Sequence, residues 1–303
     1  MDAWLGSLGM SLKCFSVVKK VLEDTYSEIP DDEGNRDRMI ALAIEQISET
    51  YLNMSKTGAG PDFRDPVNRF AYVYAYVPVH AHWVSELISW SQDAKDVFEK
   101  DKVRIACIGG GPGSDLVGIL KYLDERGGRP PSIFCEIADG CELWKHTWSD
   151  LAFSLDLPVR LSTDYIIQRV GDTDAWRHPV QFEKSDILSM SFFVSEIAHL
   201  GEPAWDYVGA VFEKMKPGAV LLFNDNQNAM YYGKVDEIAR SKGLEVLLEG
   251  KGDRRVYDRN EKSDELSEFS KKFGRKSKLT GDVSWRVMRK PLMGADGAVS
   301  ADP

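Results

Sequence analysis

The stretch VRIACIGGGPGSDLVGILKYL, Val103 to Leu123, constrains this chain more than any other. Six mostly apolar residues run into Gly109, Gly110, Gly111 and Gly113, after which apolar residues recur at helical spacing. A strand that turns through glycines into a helix opens a doubly wound nucleotide-binding sheet, whose ligand lies beyond the carboxyl ends of the strands. The apolar runs SIFCEIA, PVRLS, DILSMSF, AVLLFND, LEVLLEG and VSWRVMR follow, with helical stretches between most of them. Their alternation predicts an α/β fold: a doubly wound, mostly parallel seven-stranded sheet with helices on both faces. No clear helix separates the last two runs, so the last strand is expected to pair antiparallel at the sheet edge. A charged insert at 251–280 joins the two.

Three ligands compete for such a loop. A triphosphate loop needs GxxxxGK[ST], and this one ends GPGSD without a lysine. A dinucleotide loop needs GxGxxG, but Ser114 stands at the third glycine position and Asp115 follows at the helix start. A carboxylate there opposes a pyrophosphate at the helix N-terminus. A sulfonium ligand with an amino-acid end, S-adenosyl-L-methionine, tolerates that acid.

CIGGGPGSDL resembles the first motif of class I S-adenosylmethionine-dependent methyltransferases, and the likeness extends over roughly 100–290 through the strand order. It implies S-adenosyl-L-methionine bound by Gly109, Gly110, Gly111, Gly113 and Asp115. An acid at the end of the second strand would hold the ribose hydroxyls; Asp139 is favoured over Glu136, and its competing role is a helix cap. Asp164, after the third strand, would reach the adenine amino group or serve as a turn residue. The family often has an acid two residues before the first glycine; Cys107 stands there. Trp144 and Trp148 read as packing residues.

Residues 1–97 read as a helical cap region, ahead of an α/β domain at 98–291 and a disordered tail at 292–303. Asp65 and Pro66 start a helix that Pro78 should kink or split. In NRFAYVYAYVPVHAHW, Tyr72, Tyr76 and His80 recur one turn apart, with His82 beyond them. They offer either aromatic walls with a general base, Tyr76 and His82 being the catalytic candidates, or a packing face with two satisfied histidines. Ser191, Phe192, Ser195 and Glu196 leave the fourth strand where the resemblance places substrate-side residues. Ser191 is expected near the cofactor and Glu196 as a catalytic acid or base. Asn224, Asp225 and Asn226 form a second polar group on the same rim. No metal-ligand spacing is present. The insert reads as a solvated excursion, or, at its basic end KKFGRKSK, as a contact for an anionic substrate.

A net charge of −10 argues against a dedicated nucleic-acid binder. A small-molecule acceptor is therefore favoured, with RNA or protein acceptors open. The alternatives are a non-catalytic interaction protein on a methyltransferase-like scaffold and an NAD(P)-dependent oxidoreductase. No apolar run reaches membrane-spanning length. The N-terminus lacks the basic start of a signal peptide, and the four cysteines show no CxxC spacing, so a cytoplasmic protein with reduced thiols is expected.

Overall fold

A computed structural model describes residues 12–31, 34–58, 60–127, 131–155, 159–172, 182–257 and 261–292. Five helices come first: α1 (Cys14–Thr25), α2 (Arg36–Thr57), α3 (Pro66–Ala75), α4 (Val77–Trp90) and α5 (Gln92–Val97). Then follow β1 (Lys102–Ile108), α6 (Ser114–Arg126), β2 (Ser132–Asp139), α7 (Trp144–Ser154), β3 (Leu161–Ile167) and β4 (Ile187–Ser191). The chain continues with α8 (Val194–Ile197), α9 (Glu202–Lys214), β5 (Val220–Asn226), α10 (Ala229–Ser241), β6 (Glu245–Arg255), α11 (Ser267–Phe273) and β7 (Thr280–Arg289).

The seven strands lie in the order β3-β2-β1-β4-β5-β7-β6. Pairing is parallel from β3 to β5, and β7 runs antiparallel to both β5 and β6. Strand order reverses between β1 and β4, the topological switch where open α/β sheets bind ligands. The inner strands are buried along nearly their whole length, as a sheet covered on both faces requires. One apolar cluster lies on the face packed by α9 and α10, with Met190, Val208, Phe212 and Phe223. The other runs without a break from Phe15 and Ile40 through Trp83 to Ile105, Leu222 and Val287. The N-terminal helices and the sheet therefore share a core.

Asp65 caps α3 by accepting from Val67 N at 2.9 Å, an interaction typically worth about 1 kcal/mol. Pro78 divides the long segment, with α3 ending at Ala75 and α4 starting at Val77. α4 is buried around most of its circumference and packs on α6 and on strands β5 and β7. It approaches α6 where Gly118 faces the Ala81 carbonyl, so closely that any Cβ would collide with it.

The insert departs from the expected solvated excursion. Residues 251–255 extend β6, and Phe269 and Phe273 bury themselves against Phe70 and Tyr74. Tyr74 donates to the Arg275 carbonyl at 2.6 Å, and Arg275 pairs with Glu45 at 2.8 Å. The apolar aromatics inside this polar stretch supply the driving force for docking. Of the expected disordered tail, 293–303 lies outside the described residues.

Candidate functional site

The glycine loop leaves β1 at the switch point. Gly109 (φ 63°) and Gly113 (φ 92°) are left-handed, and a Cβ would enter the Phe193 ring at the first and the Trp148 ring at the second. The backbone thus threads between two buried aromatics, and the loop's shape follows from that packing. Gly110 N donates to the Ala138 carbonyl at 3.1 Å, tying the loop to the end of β2. Gly111 is buried, and a built Cβ there would sit in ordinary contact with Trp144 Nε1 at 3.8 Å and Asp139 Oδ2 at 3.9 Å.

Asp139 is the last residue of β2. Its Oδ2 accepts from Gly111 N at 2.9 Å and its Oδ1 from Cys141 N at 2.8 Å. Burial pushes its carboxyl up to about 6, against the pull of those backbone donors. Glu136 sits three residues earlier, buried within the strand and paired in register with Asp164. That register corrects the expectation for Asp164. The third strand begins later than PVRLS and runs to Ile167, so Asp164 is an exposed mid-strand residue below the carboxyl rim. Trp144 and Trp148 are buried, with Trp144 packed on Phe63 and Tyr72.

Asp115 lies in the first turn of α6, buried beneath the loop and facing Ser189 and Ser191. Burial raises its carboxyl to about 6, although the two serines pull it down. Asp115 Oδ2, Ser189 Oγ and Ser191 Oγ make no close hydrogen bond among the described residues, although the two hydroxyls lie near enough to the carboxyl to lower it. Cys107 does not reach this rim; it is fully buried, with Sγ 3.7 Å from Cys135 Sγ.

Beside the loop lies a chamber of about 360 Å³. α2 contributes Tyr51, the α3–α4 segment Tyr72, Tyr76 and His80, the exit of β4 Phe192 and Glu196, and the insert Lys278. Tyr72 and Tyr76 stack at 5.2 Å, and His80 stacks on Phe192 at 3.9 Å, forming one aromatic wall. Phe192 adopts φ 58°, a conformation costly for a bulky residue. Its N–H on the Asn224 carbonyl (2.7 Å) and its stack on His80 hold it there.

Glu196 Oε1 accepts from Tyr51 Oη at 2.8 Å. Burial pushes the Glu196 carboxyl up to about 8, overcoming that hydrogen bond. Burial, and then the nearby Lys278 ammonium, push the His80 imidazole well below its ordinary range. Asp225 is occupied structurally: its carboxylate accepts from Ser195 N (2.9 Å) and Asn226 N (2.7 Å), fixing the two rim loops. Tyr72 bridges the two parts of the site. It lines the chamber, packs on Trp144 beside the loop, and feels the charges of Glu196, Asp115 and Asp139.

Of the proposed catalytic residues, Tyr76 and Glu196 line this chamber and His82 does not. His82 is almost fully buried behind it, 3.4 Å from Glu86 and 3.7 Å from Glu261. The helix turns its face by about 100° per residue, so residues two apart cannot share the chamber. His80 occupies the wall instead. Sequence reasoning missed Tyr51 and Lys278. Tyr51 shares a helical face with Ser48 and Leu52, a weak signal; Lys278 is hidden in a basic run.

Among the described residues no group of three or more His, Cys, Asp or Glu is arranged to hold a metal, and no helix is long and apolar enough to cross a membrane. Neither a protein-family model nor a curated protein sequence matches the chain. Solved structures do. An O-methyltransferase family protein from Burkholderia thailandensis is 13% identical, with TM-score 0.51, over 85% of this chain and 73% of its own. A provisionally described class I S-adenosylmethionine-dependent methyltransferase from Listeria monocytogenes is 12% identical, with TM-score 0.48, over 95% and 91%. The strand order, the antiparallel β7 and the first of these likenesses define the fold as that of class I S-adenosylmethionine-dependent methyltransferases.

Proposed function

We propose that the protein is an S-adenosyl-L-methionine-dependent methyltransferase acting on a small molecule. The observation that carries this reading is the junction at Tyr72. On one side lies a glycine loop flanked by Asp115, Ser191 and Asp139; on the other, an aromatic chamber with a half-buried carboxyl, Glu196. The donor set fits the cofactor. Gly109, Gly110, Gly111 and Gly113 shape the loop that would receive its amino-acid end, with no side chain of their own in the way. Asp115 and Ser191 offer that end a carboxylate and a hydroxyl, and Asp139, at the tip of β2, takes the ribose hydroxyls. When bound, the sulfonium supplies an electrophilic methyl carbon.

The chain's own residues orient the acceptor and manage a proton. Tyr72, Tyr76 and Phe192 give the chamber an apolar inner wall, which raises the value of the polar contacts beside it. Glu196, aimed by Tyr51, takes the proton that the acceptor group loses as it is methylated. A carboxyl poised near neutrality suits that role. His80 stays neutral beside it. The net charge of −10 and a chamber of about 360 Å³ suit a small molecule better than a polymer strand.

Isothermal titration tests the cofactor half directly. S-adenosylmethionine or its demethylated product should bind the wild type. Asp139→Ala combined with Gly111→Arg should abolish binding, because the carboxylate is lost and a long side chain is forced onto a left-handed position (φ 48°) of the loop. No binding to the folded wild type overturns the reading.

A further inference from the structure

The chamber holds one cation, Lys278, that makes no ion pair among the described residues. Lys278 comes from the segment between α11 and β7, at the end of the basic run. Its position follows from the break at Pro78. The interruption leaves the Ala75 carbonyl available, and Lys278 N–H takes it at 3.0 Å. The side chain then enters the chamber, with Nζ 5.4 Å from the centre of the Tyr76 ring. Among the described residues no carboxylate pairs with it. Burial alone shifts its ammonium, downward, with no opposing acid. Asp282, the other acid lining the chamber besides Glu196, is exposed at the rim. A half-buried cation facing a cavity without a counter-charge is satisfied by an anionic ligand.

The rest of the wall restricts that ligand further. Tyr51, Tyr72, Tyr76, His80 and Phe192 present ring faces and edges, which favour a flat ring over an alkyl chain. Glu196 spends Oε1 on Tyr51, and its Oε2 makes no hydrogen bond to the described residues. A ligand group carrying a hydrogen, such as a hydroxyl or an amine, meets that oxygen.

Resting on the methyltransferase reading of the same site, we propose that the chamber binds a small planar aromatic carboxylate. Its anionic group sits on Lys278, and a ring hydroxyl or amine faces Glu196. Lys278 thereby selects the acceptor, and Glu196 faces the group to be methylated.

The test measures equilibrium binding by titration calorimetry, using para-hydroxybenzoate and para-coumarate against their neutral amides. The wild type should bind the acids at least about tenfold tighter than the amides, the scale of one charge-assisted contact. Lys278→Met should erase that preference while leaving amide affinity unchanged, and Lys278→Arg should keep most of it. Thermal melts of each variant confirm folding. The proposal is overturned if acid and amide bind the wild type equally, if neither binds, or if Lys278→Met keeps the preference. It is also overturned if uridine or adenosine binds in place of the acids, which points to a flipped nucleobase. S-adenosylmethionine is titrated into the same preparations. Cofactor binding without acid preference removes this inference alone; acid preference without cofactor binding removes the methyltransferase reading and leaves an aromatic-acid site.

Discussion

Two clusters of buried titratable groups lie on either side of α4, and they are built on opposite plans. Behind the helix, Glu261 is fully buried, 3.0 Å from Lys121 and 3.7 Å from His82. His82 also reaches Glu86 at 3.4 Å, Glu86 pairs with Arg254, and Lys121 pairs with Glu125 at 2.6 Å. In front of the helix, Glu196, His80 and Lys278 line a cavity, and among the described residues Lys278 has no carboxylate within ion-pair distance. The consequences for charge are opposite. Burial opposes ionisation in both clusters. In the first, the partners win: Glu261 and Glu86 are held below the ordinary carboxylate range, and His82 is raised. In the second, burial wins: Glu196 is pushed up to about 8 and Lys278 is pushed down. A closed network fixes the insert to α1, α4 and α6. The cluster in front lines a cavity with groups whose charge burial disfavours, as a site does.

The sharpest way to break this contrast is to remove one cation from each cluster. Lys121→Met leaves Glu261 buried with its main counter-charge gone, which typically costs about 3–5 kcal/mol. Lys278→Met removes a desolvated charge that has no counter-charge, so stability should hold or rise. Urea unfolding of the two variants side by side checks this. If Lys121→Met costs no more than Lys278→Met, the two clusters are not different in kind.

The contrast also shows what the sequence can and cannot convey. The glycine loop, the seven strands and the Asp65–Pro66 start are local patterns, legible because backbone geometry demands particular residues at particular spacings. The place of Asp139 at the end of β2 was legible for the same reason: an acid closing an apolar run has few places to go. The β3 register was not, because LSTDYII alternates too weakly to show where the strand begins, and Asp164 moved from rim to mid-strand with it. His80 and His82 are indistinguishable by type. Only the packing of α4 against α6, set by Gly118, decides which of them faces the chamber. Lys278 needed a contact across more than two hundred residues of chain, from the insert to the helix break, and no spacing rule carries that information.

A smaller effect should appear in the pH dependence of stability. Glu196 has a raised carboxyl, so the unfolded state releases its proton first as pH rises. Its contribution is fully present below the ordinary carboxylate range and is lost as pH rises through about 8. Asp115 and Asp139 act in the same direction, their contributions being lost through about 6. Glu261 and Glu86 act oppositely, losing their contribution only as pH falls through their lowered values. The melting temperature of the ligand-free protein should therefore decline between about pH 5 and about pH 8.5. Glu196→Gln keeps the shape and removes the titration, so its melting temperature should fall less over the upper half of that range. An identical slope in both proteins places the open cluster's behaviour elsewhere than at Glu196.

The finest probe is Tyr51→Phe. The Tyr51 hydroxyl stabilises ionised Glu196 through a 2.8 Å hydrogen bond, the main influence opposing burial there. Removing the hydroxyl leaves the ring in the wall and takes away only that bond, worth on the order of 1 kcal/mol. Glu196 should then titrate at still higher pH, by roughly half a unit to one unit, since one unit corresponds to about 1.4 kcal/mol. Carbon-detected NMR of the Glu196 carboxyl follows this directly. A downward shift, or none, would mean that Tyr51 does not hold the carboxylate. In the paired network, Tyr51→Phe should leave the His82 titration where it was, because no part of that network touches the chamber carboxyl.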